Sequence, residues 1–427
     1  MSEKANVSSS FRQVTGIILG CGSRGTVYSS YANFYPERFN IVAIADNRLA
    51  ARKKLQKRFN LDDKHVYDNW QHVAALENKI ADCVLIALPD IEHYEATIAF
   101  ASKGYHILLE KPMATSLEHC IRIVELCEEK NLILVVCHVL RYLPVVKKIK
   151  QLLNNNIIGY FHFAHSFVRG NWHNTKQSTF SLLAKCCHDL DLIQYWFQPS
   201  KCVQVSSFGK LMHFKKENKP VGAGDRCLHC SVEDKCPYSA KKIYLDSMTV
   251  GWPVSAICDI EDNDKYNTVR TKVINALENG NYGKCVYGNC NNDVVDQQVV
   301  LMNFDDGGTA TLSMVAFTQE ICVRTTRLFG TMGELKWEGR NKIIHDDFLT
   351  GDRTVYDEEE NMNDAGIMSG HGGADYYAMD SFIKAVACND RSLVGTGPQE
   401  SLRSHVIAFA AETARLENRI CSISEFI

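Results

Sequence analysis

The first third of the chain contains short, continuous runs of apolar residues, which is the pattern of strands buried on both faces of a parallel sheet. We predict strands at residues 14–19, 41–45, 66–67, 83–88, 105–109 and 132–137, separated by helices at 49–59, 93–103 and 117–130. Thr115 and Glu118 resemble a capping box that opens the last of these helices. The alternation predicts an α/β unit with a doubly wound parallel sheet, which binds ligands at the carboxyl ends of its strands.

The pattern changes near Leu140, where shorter and partly alternating apolar runs begin. They predict strands at residues 160–168, 203–211, 299–304, 309–315 and 324–330, and helices at 182–197 and 400–417. The second unit is therefore expected to be an α/β domain with an open, mostly antiparallel sheet. We place a disordered tail at residues 1–11, the first domain at 12–139 and the second at 140–427, with a cysteine-containing insertion at about 215–287.

The turn after the first predicted strand has the sequence Gly20-Cys21-Gly22-Ser23-Arg24-Gly25, and the second predicted strand ends at Asp46. Glycines at these positions allow a tight turn and a close approach of the backbone to a pyrophosphate, while the helix N-terminus favours phosphate charge. An acid at the end of the second strand can accept hydrogen bonds from ribose hydroxyls. The combination predicts a Rossmann domain that binds NAD, and therefore redox chemistry. Asn47 and Arg48 follow in the same loop, and Arg48 could reach the 2′-phosphate of NADP.

Composition excludes several other classes of function. Apolar residues make up 45% of the chain and charged residues 23%, and the formal net charge is −3, which gives no electrostatic case for nucleic acid or an anionic membrane. Residues 1–10 contain no apolar segment of a signal peptide, and the apolar run at 132–137 is too short to span a bilayer. Most of the 17 cysteines stand singly in apolar runs, which suits a reducing compartment. We therefore expect a cytoplasmic protein with a small-molecule substrate.

The chain resembles the Gfo/Idh/MocA oxidoreductases, the family of glucose–fructose oxidoreductase and inositol dehydrogenase. Besides the glycine turn and Asp46, the resemblance rests on four motifs: Ala87-Leu88-Pro89 followed by His93, Glu110-Lys111-Pro112, Arg141-Tyr142, and His188-Asp189-Leu190-Asp191. It implies a Rossmann domain followed by an α/β domain whose open sheet often forms a dimer interface, so a homodimer or homotetramer is expected. It also implies that Leu88, Pro89, His93, Glu110 and Lys111 contribute to the cofactor site.

The resemblance implies catalytic roles for Lys111 and His188. Beside a bound nicotinamide, the ammonium of Lys111 would stabilise a developing alkoxide, and the Lys111–Pro112 peptide can be cis in relatives. His188 stands where relatives have the acid/base, which takes the hydroxyl proton when a carbinol is oxidised. Inositol dehydrogenases carry an aspartate one turn before this histidine, but here the position is Ala184. We expect Asp191 or Lys185 to orient His188 instead, and a simple inositol dehydrogenase is in doubt.

Two loops could contact a polyol substrate. The segment Arg169-Gly170-Asn171-Trp172-His173 follows a predicted strand and combines aromatic, amide and imidazole groups, although an ordinary loop with one buried tryptophan would have the same sequence. His371-Gly372-Gly373-Ala374-Asp375 is either a ligand-facing loop or a glycine turn before a helix. The predicted substrate-binding residues are Arg141, Asn171, Trp172, His173 and His371.

The insertion contains a candidate metal site. Cys227 and Cys230 are separated by two residues and Cys236 follows, so three thiolates could surround one ion, with Cys285 or Cys290 as a fourth. A structural zinc is predicted, and three free thiols in a packed loop are the alternative. The spacing to Cys236 is longer than in the ferredoxin pattern. A catalytic metal is not expected, because Lys111 and His188 already serve the chemistry.

The sequence thus predicts an NAD(P)-dependent oxidoreductase that transfers a hydride between nicotinamide and a carbinol or carbonyl carbon of a sugar, sugar derivative or cyclitol. One alternative is an NAD-dependent glycoside hydrolase that oxidises and then re-reduces its substrate in each turnover. Another is a non-catalytic sensor of the cofactor or a sugar. Lys111 favours net redox chemistry, and Lys111 together with His188 argues against a sensor.

Overall fold

The computed structural model describes residues 12–153, 158–164, 169–246, 248, 253–260, 264–288, 290–318, 324–339, 341–358 and 370–427. For residues 158–164, 171 and 370 it describes the backbone alone. The tail predicted at 1–11 and the end of the strand predicted at 160–168 lie outside the described residues. No helix within the described ranges is long and apolar enough to cross a membrane.

The first sheet is parallel and has six strands in the order β3-β2-β1-β4-β5-β6. The strands are β1 (Val14–Leu19), β2 (Phe39–Ala45), β3 (Val66–Tyr67), β4 (Cys83–Ile86), β5 (His106–Leu109) and β6 (Leu134–Val136). The strand order reverses between β1 and β4, so a crevice opens at their carboxyl ends. The prediction of a doubly wound parallel sheet is confirmed.

Helices cover both faces of this sheet: α1 (Ser23–Ser29), α2 (Tyr31–Phe34), α3 (Leu49–Phe59), α4 (Trp70–Ala74), α5 (His93–Ser102) and α6 (Leu117–Glu129). Successive side chains of a strand point to opposite faces, so Ile17 and Ile18 belong to two different apolar cores. The predicted capping box is wrong. Ser116 caps α6 by accepting a hydrogen bond from the backbone N–H of His119.

The second sheet has nine strands in the order β14-β13-β12-β11-β7-β10-β9-β8-β15. The strands are β7 (Ile158–Ala164), β8 (Cys202–Lys210), β9 (Gln297–Phe304), β10 (Thr309–Val315), β11 (Arg324–Phe329), β12 (Gly333–Trp337), β13 (Lys342–Asp347), β14 (Arg353–Asp357) and β15 (Cys421–Ser422). Neighbours pair antiparallel, except that β7 and β10 are parallel. The open, mostly antiparallel sheet is confirmed, and β12 to β14 extend it beyond the predicted strands.

The remaining helices are α7 (Pro144–Leu152), α8 (Ser181–Phe197), α9 (Tyr266–Asn279), α10 (Ala374–Cys388) and α11 (Pro398–Glu417). Every residue of α8 except Tyr195 is buried. The last long helix, α11, packs against α6 of the first sheet and against α8 and β8 of the second, so it joins the two domains. The insertion consists of short turns and α9 around a small core of its own.

Candidate functional site

The glycine turn lies at the crevice of the parallel sheet. Gly20 has φ = 91°, a left-handed conformation that favours glycine, and a Cβ at this position would overlap the carbonyl oxygen of Ala87 after β4. A Cβ at Gly25 would overlap the carbonyl oxygen of Gly20. Gly22 precedes the exposed Ser23 at the start of α1, and no side chain caps this helix. The turn therefore needs glycine for close packing and leaves its backbone open to a phosphate.

Asp46 is fixed beside this turn at the end of β2. One carboxylate oxygen accepts a hydrogen bond from the backbone N–H of Cys21 at 2.7 Å, and the other accepts one from the backbone N–H of Arg48 at 2.8 Å. The Arg48 guanidinium binds both Asp46 and Asp259 of the insertion. The exposed Asn47 flanks the site, whereas the Cys21 thiol is buried. The glycine turn and the acid fit the phosphate and ribose groups of a dinucleotide.

Arg24 and Glu110, both predicted to contact the cofactor, bind each other. Arg24 Nε lies 2.6 Å from Glu110, and Arg24 Nη2 lies 2.5 Å from Asp375 of α10. Glu110 also accepts a hydrogen bond from the Tyr28 hydroxyl. Burial opposes the charge of Glu110, but Arg24 and Lys111 outweigh it and lower the pKa of the carboxyl group below its ordinary value. This buried network ties α1 to α10 and so joins the two domains at the crevice.

Lys111 and His188 meet at α8. The Lys111–Pro112 peptide is cis, and Lys111 Nζ donates a hydrogen bond of 2.9 Å to the carbonyl oxygen of Ala184, one turn before His188. Burial and, after it, the positive charge of Lys111 lower the pKa of His188 well below its ordinary value. His188 is therefore neutral at physiological pH, as a proton acceptor must be. Its Nδ1 has no hydrogen-bond partner in the part of the chain that the structure describes.

The prediction that Asp191 or Lys185 orients His188 is wrong. Asp191 is fully buried and forms a bidentate ion pair with Arg141, with distances of 2.8 Å to Nε and 2.5 Å to Nη2. Lys185 Nζ lies 3.4 Å from the ring centroid of Trp172. Neither side chain bonds Nδ1 of His188, because Asp191 is bound to Arg141 and the Lys185 ammonium lies over the ring of Trp172.

Arg141 also does not face a substrate at this site. Its guanidinium donates a further hydrogen bond to the carbonyl oxygen of Gly395, and the side chain is 5% exposed. That small exposed part lines a cavity of about 840 Å³ to which Lys111, His188 and His371 do not contribute. The predicted substrate contact is wrong, since the charge of Arg141 is neutralised by Asp191.

Two histidines lie beside His188, and a third lies behind one of them. The ring centroid of His138 lies 5.6 Å from that of His188, and His371 lies 5.7 Å from it. His405 lies behind His138, accepts a hydrogen bond from the backbone N–H of Met113 and donates one to the carbonyl oxygen of Ser401. Burial lowers the pKa of both His138 and His405 to about 3. The sequence analysis did not identify His138. It follows the carboxyl end of β6, at the same edge of the parallel sheet as Lys111.

His371 approaches His188 from the segment before α10. It has a left-handed backbone conformation, with φ = 49° and ψ = 39°, in a turn of glycines before α10. Its Nδ1 is 3.4 Å from the fully buried carboxylate of Asp375, which also binds Arg24. The structure therefore brings His371 to the site together with a carboxylate partner that the sequence analysis did not assign.

His93 holds two loops of the crevice rather than the cofactor. Its ring is completely buried, with Nδ1 2.7 Å from the carbonyl oxygen of Pro112 and Nε2 3.0 Å from that of Leu88. The prediction of a direct cofactor contact is wrong, because no atom of this side chain is accessible. His93 instead fixes the ends of β4 and β5, where the partly exposed Leu88 and Lys111 and the exposed Pro89 lie.

The loop that precedes α8 presents one of its three predicted contacts. Trp172 is partly exposed and lies under Lys185. His173 is buried, with Nδ1 against the carbonyl oxygen of Gly170, so the prediction that it binds substrate is wrong. The side chain of Asn171 lies outside the described residues.

The cysteines of the insertion surround an arginine. Cys227, Cys230, Cys236 and Cys285 line one small cavity together with Arg169. Arg169 is buried and donates hydrogen bonds to the carbonyl oxygens of Tyr238 and Lys284 and to the Cys227 thiol. Within the described ranges, no group of three or more histidine, cysteine, aspartate or glutamate side chains could hold a metal ion. The structure does not support the predicted zinc site, because these thiols pack around a guanidinium instead.

Two models of one protein family match the chain, one over the part with the parallel sheet and one over the part with the open sheet. Residues 15–138 match a family model described as the NAD-binding Rossmann fold of an oxidoreductase family, and residues 147–420 match the C-terminal alpha/beta domain of that family.

Individual relatives match only parts of the chain. Oxidoreductase P35 of Formosa agariphila is 31% identical over 33% of this chain and 43% of its own length. The 2,7-anhydro-N-acetylneuraminate hydratase of Escherichia coli is 28% identical over 29% of this chain and 35% of its own length. The chain thus spans less than half the length of these curated relatives.

One solved structure shares the fold over almost the full chain. It is an oxidoreductase from Agrobacterium radiobacter in complex with NAD+, L-tartaric acid and magnesium. The TM-score is 0.67 at 14% identity, and the match covers 97% of this chain and 100% of that chain.

Proposed function

Because the chain belongs to the Gfo/Idh/MocA family of oxidoreductases, we propose that it is an NAD(P)-dependent oxidoreductase that acts on a CH–OH group of a sugar, sugar derivative or cyclitol. The observation that carries this proposal is the meeting of Lys111 and His188 at one turn of α8, where Lys111 Nζ binds the carbonyl oxygen of Ala184. An ammonium and a neutral imidazole side by side are what the oxidation of a carbinol requires.

The residues present fit a dinucleotide. Gly20, Gly22 and Gly25 would admit the pyrophosphate, and Asp46 would hold the adenosine ribose. The Arg24–Glu110 pair would border the nicotinamide ribose next to Lys111. A bound nicotinamide supplies a two-electron acceptor for hydride.

The protein supplies the proton chemistry. Lys111 would stabilise the negative charge that develops on the substrate oxygen as the C–H bond breaks. His188 is neutral because burial lowers the pKa of its imidazole, so it can accept the hydroxyl proton. In the reductive direction the same two groups would return the proton and stabilise the alkoxide. Trp172 would offer an apolar surface to the face of a sugar ring.

The acidic end of β2 supports a preference for NAD over NADP. Asp46 would repel a 2′-phosphate, and the nearby Arg48 is shared between Asp46 and Asp259. The solved structure from Agrobacterium radiobacter, whose fold is shared, is named as an NAD+ complex.

The direct test is a panel of sugars, glycosides and cyclitols, each assayed with NAD and with NADP. We expect at least one compound to be oxidised with stoichiometric formation of NADH. If no member of the panel and no reaction in the reductive direction changes the nicotinamide absorbance, the proposed function is wrong.

A second candidate is a reaction without net redox change, in which the substrate is oxidised and re-reduced within one turnover. The name of the Escherichia coli relative, a hydratase, describes such an overall reaction, because the addition of water transfers no electrons. Product formation from a glycoside or anhydrosugar that needs NAD but forms no NADH would favour this candidate over the first.

A further inference from the structure

The proton that His188 accepts from the substrate must be transferred to another group. His188 is 5% exposed, and both burial and the neighbouring Lys111 disfavour its protonated form. Given the proposed function, on which this inference rests, a proton taken from the substrate cannot remain on this ring. Neither Asp191 nor Lys185 is suited to receive it, because Asp191 is held in a bidentate ion pair with Arg141 and the ammonium of Lys185 has no lone pair to accept a proton.

His371 has the properties of a receiving group. Its ring centroid lies 5.7 Å from that of His188, a separation that a small ring rotation or one water molecule can bridge. The side chain is 35% exposed, so a proton on it can reach solvent. Among the histidines near His188 whose side chains the structure describes, only His371 combines these features, since His138 and His405 are almost completely buried.

Asp375 prepares His371 for this role. Burial opposes the charge of Asp375, but Arg24 and the bond to His371 outweigh it and lower the pKa of the carboxyl group below its ordinary value. An ionised carboxylate can only accept a hydrogen bond, so the neutral ring must carry its proton on Nδ1. Nε2 of His371 then has a free lone pair, and the carboxylate stabilises the imidazolium after Nε2 is protonated.

The backbone keeps the ring in this position. His371 adopts φ = 49° and ψ = 39° between glycines, a conformation that is uncommon for residues other than glycine and that concentrates at functional sites. The next helix, α10, begins at Ala374 and places Asp375 in its first turn. The same segment thus fixes both the histidine and its carboxylate.

We propose that His371, positioned by Asp375, receives the substrate proton from His188 and delivers it to solvent. The hydride and its electron pair leave the carbinol carbon for the nicotinamide, and the hydroxyl proton moves to His188. His188 returns to its neutral form when a proton passes to Nε2 of His371, and His371 returns when it protonates water. Inositol dehydrogenases pair the histidine of this helix with an aspartate at the position of Ala184. Here the His371–Asp375 pair, from another segment of the chain, would take the place of that aspartate.

The test replaces His371 by asparagine, which tolerates the left-handed conformation and removes the imidazole. His371→Asn is expected to lower kcat for oxidation about tenfold or more, with KM and NAD affinity little changed. Added imidazole should restore a large part of kcat, because a small base can enter the partly exposed position. The matched control is His229→Asn, since His229 is also an exposed histidine bound to a carboxylate, Glu278, but lies in the insertion.

A measurement without turnover tests the geometry separately. In cofactor-free protein with ¹⁵N-labelled histidine, the signal that disappears in His371→Asn should show the Nδ1–H tautomer. An Nε2–H tautomer, or wild-type kcat in His371→Asn, or a low kcat that imidazole does not restore, would each overturn the proposal. If wild-type protein turns over no compound of the panel, the proposed function fails instead, while the tautomer measurement still stands.

Discussion

The proposed hydride transfer depends on two residues, Lys111 and His188, and alanine variants of each test their catalytic roles. Lys111→Ala and His188→Ala should each lower kcat about a hundredfold or more. The transition state needs both a positive charge beside the substrate oxygen, from Lys111, and a proton acceptor, His188. The double variant should lose much less than the product of the two single losses, since the residues act as a unit. Steady-state kinetics on the substrate found by the panel would measure all three.

Measuring the NAD affinity of these variants distinguishes a loss of catalysis from a loss of cofactor binding. It should change little, because the glycine turn and Asp46 remain. Lys103→Ala, which removes an exposed lysine of the same domain, is the control. Near wild-type kcat in either single variant would show that the residue has a structural role.

We expect Asp46 to determine which cofactor is preferred. Asp46→Asn keeps an oxygen that can accept the N–H of Cys21 but removes the charge that opposes a 2′-phosphate. NADP affinity should rise about tenfold, a change of about 1.4 kcal/mol in binding free energy, and NAD affinity should fall modestly. Titration of both cofactors into the variant, with the exposed Asp62→Asn as control, measures this. Tighter binding of NADP than of NAD by the wild type would contradict the proposed preference.

The sequence could indicate the location of the site but not which side chains face it. The role of Lys111 is predicted from the family motif Glu110-Lys111-Pro112, which stands at the end of a buried strand. The pairing of Arg141 with Asp191 was not, because the two residues are 50 positions apart and only the packing of α8 brings them together. His93 lies in a family motif yet contacts only backbone carbonyl oxygens, a role that its position in the motif does not reveal.

Among the structural elements, the insertion depends on one buried arginine. Arg169→Lys should lower the melting temperature, because lysine cannot reach the carbonyl oxygens of both Tyr238 and Lys284, and each buried oxygen left unpaired costs about 1–3 kcal/mol. Hydrogen exchange should increase in the insertion but not in the parallel sheet. Arg270→Lys, an exposed change in the insertion, is the control. Unchanged melting and exchange in Arg169→Lys would show that the guanidinium is dispensable.

Periodicity predicted the parallel sheet better than the open sheet. Strands such as β4 are buried on both faces, so their apolar runs are continuous and easily recognised. β14 has mostly exposed residues, and its sequence Arg353-Thr-Val-Tyr-Asp357 therefore lacks the alternation that marks a half-buried strand. The prediction of the α6 cap was wrong for a local reason. Thr115 and Ser116 are both suitable N-cap residues, and only the backbone conformation determines which one is used.

For the whole molecule, buried neutral histidines make stability depend on pH. The folded-state pKa of His138 and of His405 is about 3, whereas an unfolded histidine has a pKa of about 6.5. Between these values the unfolded chain binds more protons, so stability falls as pH decreases below about 6.5, by up to about 1.4 kcal/mol per pH unit for each histidine. Melting temperatures between about pH 7 and pH 4 should show this decline.

A variant tests the assignment of that decline. His405→Gln should make the curve less steep, because glutamine cannot be protonated and can still bond a neighbouring backbone group. The control is His72→Gln, which removes an exposed histidine. Equal slopes for His405→Gln and wild type would contradict the assignment.

The open sheet is the surface on which we propose that two copies associate. Phe208 of β8 is 59% exposed and Leu301 of β9 is 46% exposed, and Phe208 lies opposite Val299 on the neighbouring strand. Phe208→Glu together with Leu301→Lys should convert a dimer or tetramer to smaller species in light scattering. Leu349→Lys, an exposed apolar position in the turn after β13, is the control. A wild-type protein that is monomeric at micromolar concentration would disprove the association.

The position of α11 has a consequence for biosynthesis. Met113 in the first domain donates its backbone N–H to His405, and Val136 donates to Thr396, so these groups find partners only after residues 396–405 have left the ribosome. Leu402 and Phe409 also pack against both apolar cores. One side of the nascent cofactor-binding domain therefore stays uncovered until α11 has been synthesised. A ribosome stalled before α11 would expose that side to chaperones and proteases.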